Sequence, residues 1–188
     1  MSSRFSSNYM ATFIAFILSN FTLTFFVLGL FASAISCLMQ RSRRDRRGVV
    51  DIFLGHYLFF AIGLCFFYNF VMHVFFAEMA AKFIGWANSP FQYEVGYASL
   101  GFSVVAILAH RSTFQFRLAA ILGPALFLWG AAVGHVYQII VAHNFAAGNA
   151  GMILWTDIFM PIIGFVLLYF AYPRSKGEHA AASTGIRD

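Results

Sequence analysis

Residues 9–47 read YMATFIAFILSNFTLTFFVLGLFASAISCLMQRSRRDRR, and the two parts of that stretch decide the architecture. Residues 9–40 contain no charged side chain, and Arg41, Arg43, Arg44, Arg46 and Arg47 follow at once. A helix needs about 20 apolar residues to cross the hydrocarbon core of a bilayer. A cleaved secretion signal carries its positive charges before a shorter apolar segment. Here the charges come after a segment long enough to span, so the pattern predicts a membrane anchor stopped by a basic loop.

The rest of the chain extends the pattern. Only 10% of the residues are charged and 61% are hydrophobic, where a soluble domain carries about 25% charged residues to face water. Four more apolar runs follow, at about 52–76, 95–109, 118–142 and 152–172. The third reaches spanning length only if it begins at Pro90, with Ser89 as its N-cap, and this takes Glu94 into the membrane. The expected fold is an all-α polytopic membrane helix bundle of five transmembrane helices. Residues 1–40 form an anchor added to a four-helix core at 52–172; residues 41–51 form a basic cytoplasmic loop. The last segment, 173–188, is rich in Ala, Ser, Gly and charge and reads as a disordered cytoplasmic tail.

Charge sets the expected orientation. Threading the five spans puts ten of the twelve Lys and Arg on one side, leaving only Arg4 and Lys82 on the other. By the positive-inside rule this predicts an N-terminus outside and a C-terminus in the cytoplasm. Trp86, Tyr93 and Trp155 then fall at the outer boundary as an aromatic belt. The expected partner of the arginine run is anionic lipid rather than nucleic acid, because seven residues without a fold carry little readout. Cys37 and Cys65 differ in depth by about 15 Å or more, too far to bridge, and read as free thiols.

Ionisable groups inside lipid cost about 2.5–3.5 kcal/mol each on insertion scales, so each asks for a partner or a use. At about 1.5 Å per residue, His73, Glu94, His135 and Asp157 all fall in one layer near the outer side, with Gln138 close by. Four consecutive spans thus bring one ionisable group each to a common level. Such a layer admits three readings: hydrogen bonds that pin helix register, a site for a quinone or another small molecule, or a transition-metal site at His73, Glu94, His135 and Asp157. Glu78 precedes Lys82 by four residues, the favourable order for a surface pair, and His56 and His110 read as interfacial. Gly130 and Gly134 form a GxxxG pair, and Gly29 with Ser33 a second small pair, both suited to close helix approach. The first is a candidate contact with a membrane protein partner.

The segment IGWANSPFQYEVGYASLGFSVVAILA at 84–109, with HVYQ at 135–138 and NFAAGNAG at 144–151, resembles an uncharacterised family of small bacterial multi-pass membrane proteins over about residues 50–172. More distantly, a helix ending at a Gly-Trp turn and another opening with Glu is similar to the DoxX-like group of four-helix membrane proteins, some of them subunits of quinone-linked sulfur oxidation. That resemblance implies a four-helix core with one extra helix and a membrane glutamate at Glu94. The resulting expectation is a quinone-linked redox or small-molecule-binding protein, with a non-enzymatic accessory subunit of a larger complex as the alternative.

Overall fold

A computed structural model describes residues 12–13, 15–40 and 45–173. Within them the chain is helical and without strands, and five helices are long and apolar enough to cross a membrane. We label the helices α1 (Phe21–Met39), α2 (Arg46–Phe75), α3 (Ala77–Ile84), α4 (Phe91–Ala109), α5 (Phe114–Ala142), α6 (Ala147–Ala150) and α7 (Met152–Ala171). The five-span, all-α expectation holds, and the protein is a multi-pass membrane protein in contact with lipid. The residues at 9–11, Arg41, Arg43 and Arg44 of the basic run, and the tail at 174–188 lie outside the described residues.

Boundaries differ from the sequence reading where capping chemistry decides them. The helix expected from residue 52 begins at Arg46, because the Asp45 side chain accepts from the Gly48 N–H and caps the first turn. Residues 46–51, expected in a loop, are therefore helical. Thr113 caps α5 in the same way, so that helix starts four residues before position 118 and Pro124 lies inside it. Ser89 does not cap α4 with its side chain; its backbone carbonyl takes the Gln92 N–H instead.

Two irregularities shape the bundle. The middle of α2, Tyr57–Leu64, is π-helical, and the Ser103 hydroxyl of α4 donates to the Gly63 carbonyl there at 2.7 Å. Pro161 interrupts the bonding of α7, and neighbouring helices serve nearby carbonyls: Tyr57 Oη donates to Met160 O at 2.6 Å and Trp129 Nε1 to Ile158 O at 3.3 Å. Gly164 makes room for the tyrosine, since a Cβ there would stand 3.1 Å from its hydroxyl.

The core is packed by shape, because lipid offers no hydrophobic drive between helices. Phe66, Phe102 and Phe127, from α2, α4 and α5, meet edge-to-face with centroids 5.4 to 5.9 Å apart. The small pair on α1 packs as expected. A Cβ at Gly29 would lie 3.2 Å from Phe60 of α2, and Ser33 donates to Gly29 O. Thr22 of α1 also meets Thr156 of α7 at 2.9 Å. Cys37 and Cys65 are free thiols.

The two ends of the bundle differ. At one, the arginine end, the buried Arg117 pairs with Asp51 and donates Nε to Ala109 O (3.2 Å) and Nη2 to His110 O (2.8 Å). It thereby fills the open carbonyls at the C-terminus of α4, where a cation is also favoured by the helix dipole. Burial, then the charges of Arg111 and Arg117, hold the His110 imidazole below its ordinary value. At the other, the tryptophan end, α3 closes at Gly85 with φ 76°, and both Gly85 and Trp86 N–H groups return to Ala81 O. That left-handed turn is one only glycine adopts freely, and it sends Trp86 over the bundle.

Candidate functional site: a polar-walled cavity at the tryptophan end

Helical periodicity decides which polar groups turn inward. On α5, Arg117, Ile121, Ala125, Ala132 and His135 fall on one buried stripe. On α7, Asp157, Pro161, Gly164 and Leu168 do the same, and on α2 His73 follows Phe66 by two turns. The buried stripe of α4 is Gln92, Gly96, Ser99, Ser103 and Ala106. Glu94 lies two residues from Gln92, about 200° around the helix, and is exposed on the opposite face. The layer read from the sequence is corrected here: Glu94 does not turn inward, and Gln92 holds the inward position.

These stripes enclose a cavity of about 580 Å³ between α1, α2, α4, α5 and α7. Its lining is mostly apolar, with His73, Gln92, Asn69, His135, Thr156 and Asp157 as the main polar groups. Such a volume and composition fall in the range of about 300–1,000 Å³ common to small-molecule sites.

One polar wall is built around Asn149, which is fully buried. Its Oδ1 accepts from Trp86 Nε1 at 2.9 Å and faces His135 Nδ1 at 2.8 Å. Its Nδ2 donates to His135 O at 3.2 Å and Asn144 O at 2.9 Å. An indole N–H only donates and a carbonyl only accepts, so the amide orientation is fixed by its partners. Nδ1 of His135 must then carry a proton. A neutral His135 therefore presents a bare Nε2, and that atom stands 3.5 Å from Asp157 Oδ2.

This separation exceeds the 2.7–3.2 Å usual for an N–H···O bond. Asp157 is buried, and the ionisable group it faces is the His135 imidazole. A neutral pair here is either a carboxylic acid facing an imidazole or a carboxylate facing an imidazolium. The net charge is zero in both, as a low-dielectric site requires.

The other polar wall comes from α2 and α4. His73 Nδ1 bonds Gln92 Oε1, and Asn69 Nδ2 donates to Ser99 Oγ at 2.9 Å. Ser99 in turn donates to Val95 O. The remaining sequence candidate, Gln138, is half-buried and outside the cavity lining; its part is backbone, its carbonyl receiving the His143 and Asn144 N–H groups that end α5. Among the described residues no three His, Cys, Asp or Glu side chains stand together as a metal-ligand set, so His73, Glu94, His135 and Asp157 are not gathered into a metal centre. Glu78 and Lys82 are both exposed on α3, away from the site.

Asn149, Gln92 and Asn69 are the residues that depth counting missed. Gln92 was accessible through the small-residue stripe of α4, whereas Asn149 sits on a four-residue helix whose placement depends on tertiary contacts: a Cβ at Gly148 would stand 2.7 Å from Phe83 O. The distinctive segments of sequence meet at this end: Gly85 and Trp86 of IGW, Gln92 of SPFQ, His135 of HVYQ and Asn149 of GNAG all contribute to the turn or the cavity wall. No curated protein and no solved structure matches the chain. A family model does match, over residues 19–177, and by that match the chain belongs to DUF6790, a family of unknown function.

Proposed function

We propose that the protein binds a small, largely apolar molecule with a polar, hydrogen-bonding head group, of the quinone class, inside its membrane-embedded cavity. The observation that carries this reading is Asp157, a buried carboxyl on the cavity wall that stands 3.5 Å from the bare Nε2 of His135. A buried carboxyl and an imidazole side by side on one cavity wall suit a ligand that exchanges protons with them. In the quinone-linked form of the reading, a proton passes from the His135–Asp157 couple to the head-group carbonyl oxygen as a partner redox protein delivers the electron. His73, backed by Gln92, holds the head group from the other wall.

The DoxX-like resemblance points to quinones through the quinone-linked subunits of that group and assigns no role to Glu94, which is exposed away from the cavity, so the cavity itself supports the reading. We place the arginine end, with Arg46, Arg47, Arg111 and Arg117, on the cytoplasmic side of a bacterial inner membrane. The accessory-subunit reading rests on Gly130, which is exposed with open space beside it; Gly134 is already covered by the Trp86 ring at 3.4 Å. Mass spectrometry of organic extracts from purified protein tests the proposal. Wild type is expected to retain a quinone-class lipid that Asp157→Leu loses; identical extracts from the two proteins would contradict it.

A further inference from the structure

We infer that the cavity is filled sideways from the bilayer, through a mouth between α4 and α5, and that the bound molecule is a tailed lipid whose tail projects through that mouth. This rests on the quinone-class reading of the cavity and adds the route and the form of the ligand.

The residues that line the cavity and are also exposed mark where it opens. They are Phe91 on α4, 68% exposed, Leu126 and Gly130 on α5, with Leu126 61% exposed, and Trp86 and Ala87 in the turn after α3 at the tryptophan end. Helix α5 has 29 residues and is about 44 Å long, and Leu126 and Gly130 lie about 18 and 24 Å from its start. Both fall in its middle third. A hydrocarbon core of about 30 Å therefore surrounds this part of the mouth, and what enters there comes from lipid rather than from water.

The gap has a cause in the sequence. Near the arginine end α4 and α5 are held together: a Cβ at Gly123 would lie 3.2 Å from the Phe102 ring, and Phe102 packs on Phe127. Beyond Phe127, α5 presents Leu128, Gly130, Ala131, Gly134 and His135 to the cavity, and the two glycines have no side chain to close the gap toward α4. Nothing lies within 4 Å of a Cβ placed at Gly130, while the Trp86 ring roofs Gly134. The polar couple sits nearer the tryptophan end: Asp157 lies about 8 Å into α7 from its start and His135 about 10 Å from the end of α5. A head group at that couple points its tail down toward the mouth. A volume of about 580 Å³ holds a head group and the first part of a tail, not a long prenyl chain, so the remainder must leave through the opening.

The test uses the full chain in nanodiscs and two probes, a benzoquinone with a decyl tail and the same head group without one, titrated by quenching of tryptophan fluorescence. Wild type is expected to bind both, the tailed form more tightly. Gly130→Phe fills the mouth and has open space for the ring, so it is expected to weaken the tailed quinone on the order of tenfold while leaving the tail-less one within about twofold. Leu126→Trp, on the same rim, is the second variant and decides the matter if the first does not fold. Equal weakening of both probes, or no change in either, overturns the lateral route. If wild type binds neither probe, the quinone reading falls as well; if it binds both and the variants do not discriminate, only the route falls.

Discussion

Asn149 makes four polar contacts with one amide, and their removal has a calculable consequence. Asn149→Ala leaves the His135 ring nitrogen and the Trp86 indole without their acceptor. An unsatisfied buried polar group costs about 1–3 kcal/mol, and Trp86, being partly exposed, recovers some of its share from solvent or lipid head groups. The expected result is a loss of about 1–3 kcal/mol in thermal unfolding, together with a change in the ¹⁵N signature of the His135 ring, because its tautomer is no longer imposed. A mutant that melts lower but keeps the wild-type ring signature would contradict the tautomer assignment. Gly85→Ala is expected to cost at least about 1–2 kcal/mol, since φ is 76° and its Cβ would stand 2.8 Å from Asn144 Oδ1. Melting of the purified variant checks it, and unchanged stability would contradict the turn.

Among the elements, α4 shows what single residues cannot. Other helices hold both of its ends: the Gln92 side chain meets His73 of α2, and Arg117 of α5 closes its last carbonyls. The two partners of the arginine-end ion pair contribute unequally. The Asp51 side chain is 65% exposed, so Asp51→Asn is expected to cost less than about 1 kcal/mol. Arg117 is buried and caps two carbonyls, so Arg117→Met is expected to cost about 2–4 kcal/mol in the same unfolding assay. Equal effects would contradict the capping role. His110 beside it is held below its ordinary value near 6.5, chiefly by burial, so protonation favours the unfolded chain. Its contribution is present above about pH 6.5 and is lost as pH falls from there toward the folded value. The wild type should therefore lose more thermal stability than His110→Gln between pH 7.5 and 5, and parallel losses would contradict this.

The same helix shows what was legible in the sequence. Its stripe of Gln92, Gly96, Ser99 and Ser103 is readable at a spacing of three and four residues. That stripe predicts Gln92 inward and Glu94 outward, whereas counting depth alone predicts Glu94 in the site. In a membrane, small and polar residues mark the buried face as apolar ones do in water, and a charge near a helix end can reach the interface. Helix existence was legible for all five spans because length and hydropathy suffice for it. Cap-dependent starts at Arg46 and Phe114 were not, since Asp45 and Thr113 lie among polar residues with no apolar boundary to flag them.

At the scale of the whole molecule, the bundle separates two kinds of polar chemistry. The arginine end is closed by a buried cap, and the tryptophan end holds a cavity whose polar walls come from four different spans. Convergence of that kind was legible for His73, His135 and Asp157, which sit on inward stripes. It was not legible for Asn149, whose position follows from the α3–α6 packing rather than from any periodicity. The orientation gives its own prediction. In a background lacking Cys37 and Cys65, Asn88→Cys is expected to react with an impermeant thiol reagent added outside intact cells, and Ser112→Cys only after the membrane is opened. The reverse pattern would invert the topology.

The most direct test of the account compares two carboxyls in one titration of tailed quinone, followed by tryptophan quenching in nanodiscs. Asp157→Asn, which alters the couple on the cavity wall, is expected to weaken binding on the order of tenfold or more, while Glu94→Gln, on the lipid-facing side of α4, leaves it within about twofold. Loss of binding in the Glu94 variant with the Asp157 variant unaffected would contradict the central claim that the His135–Asp157 couple receives the ligand.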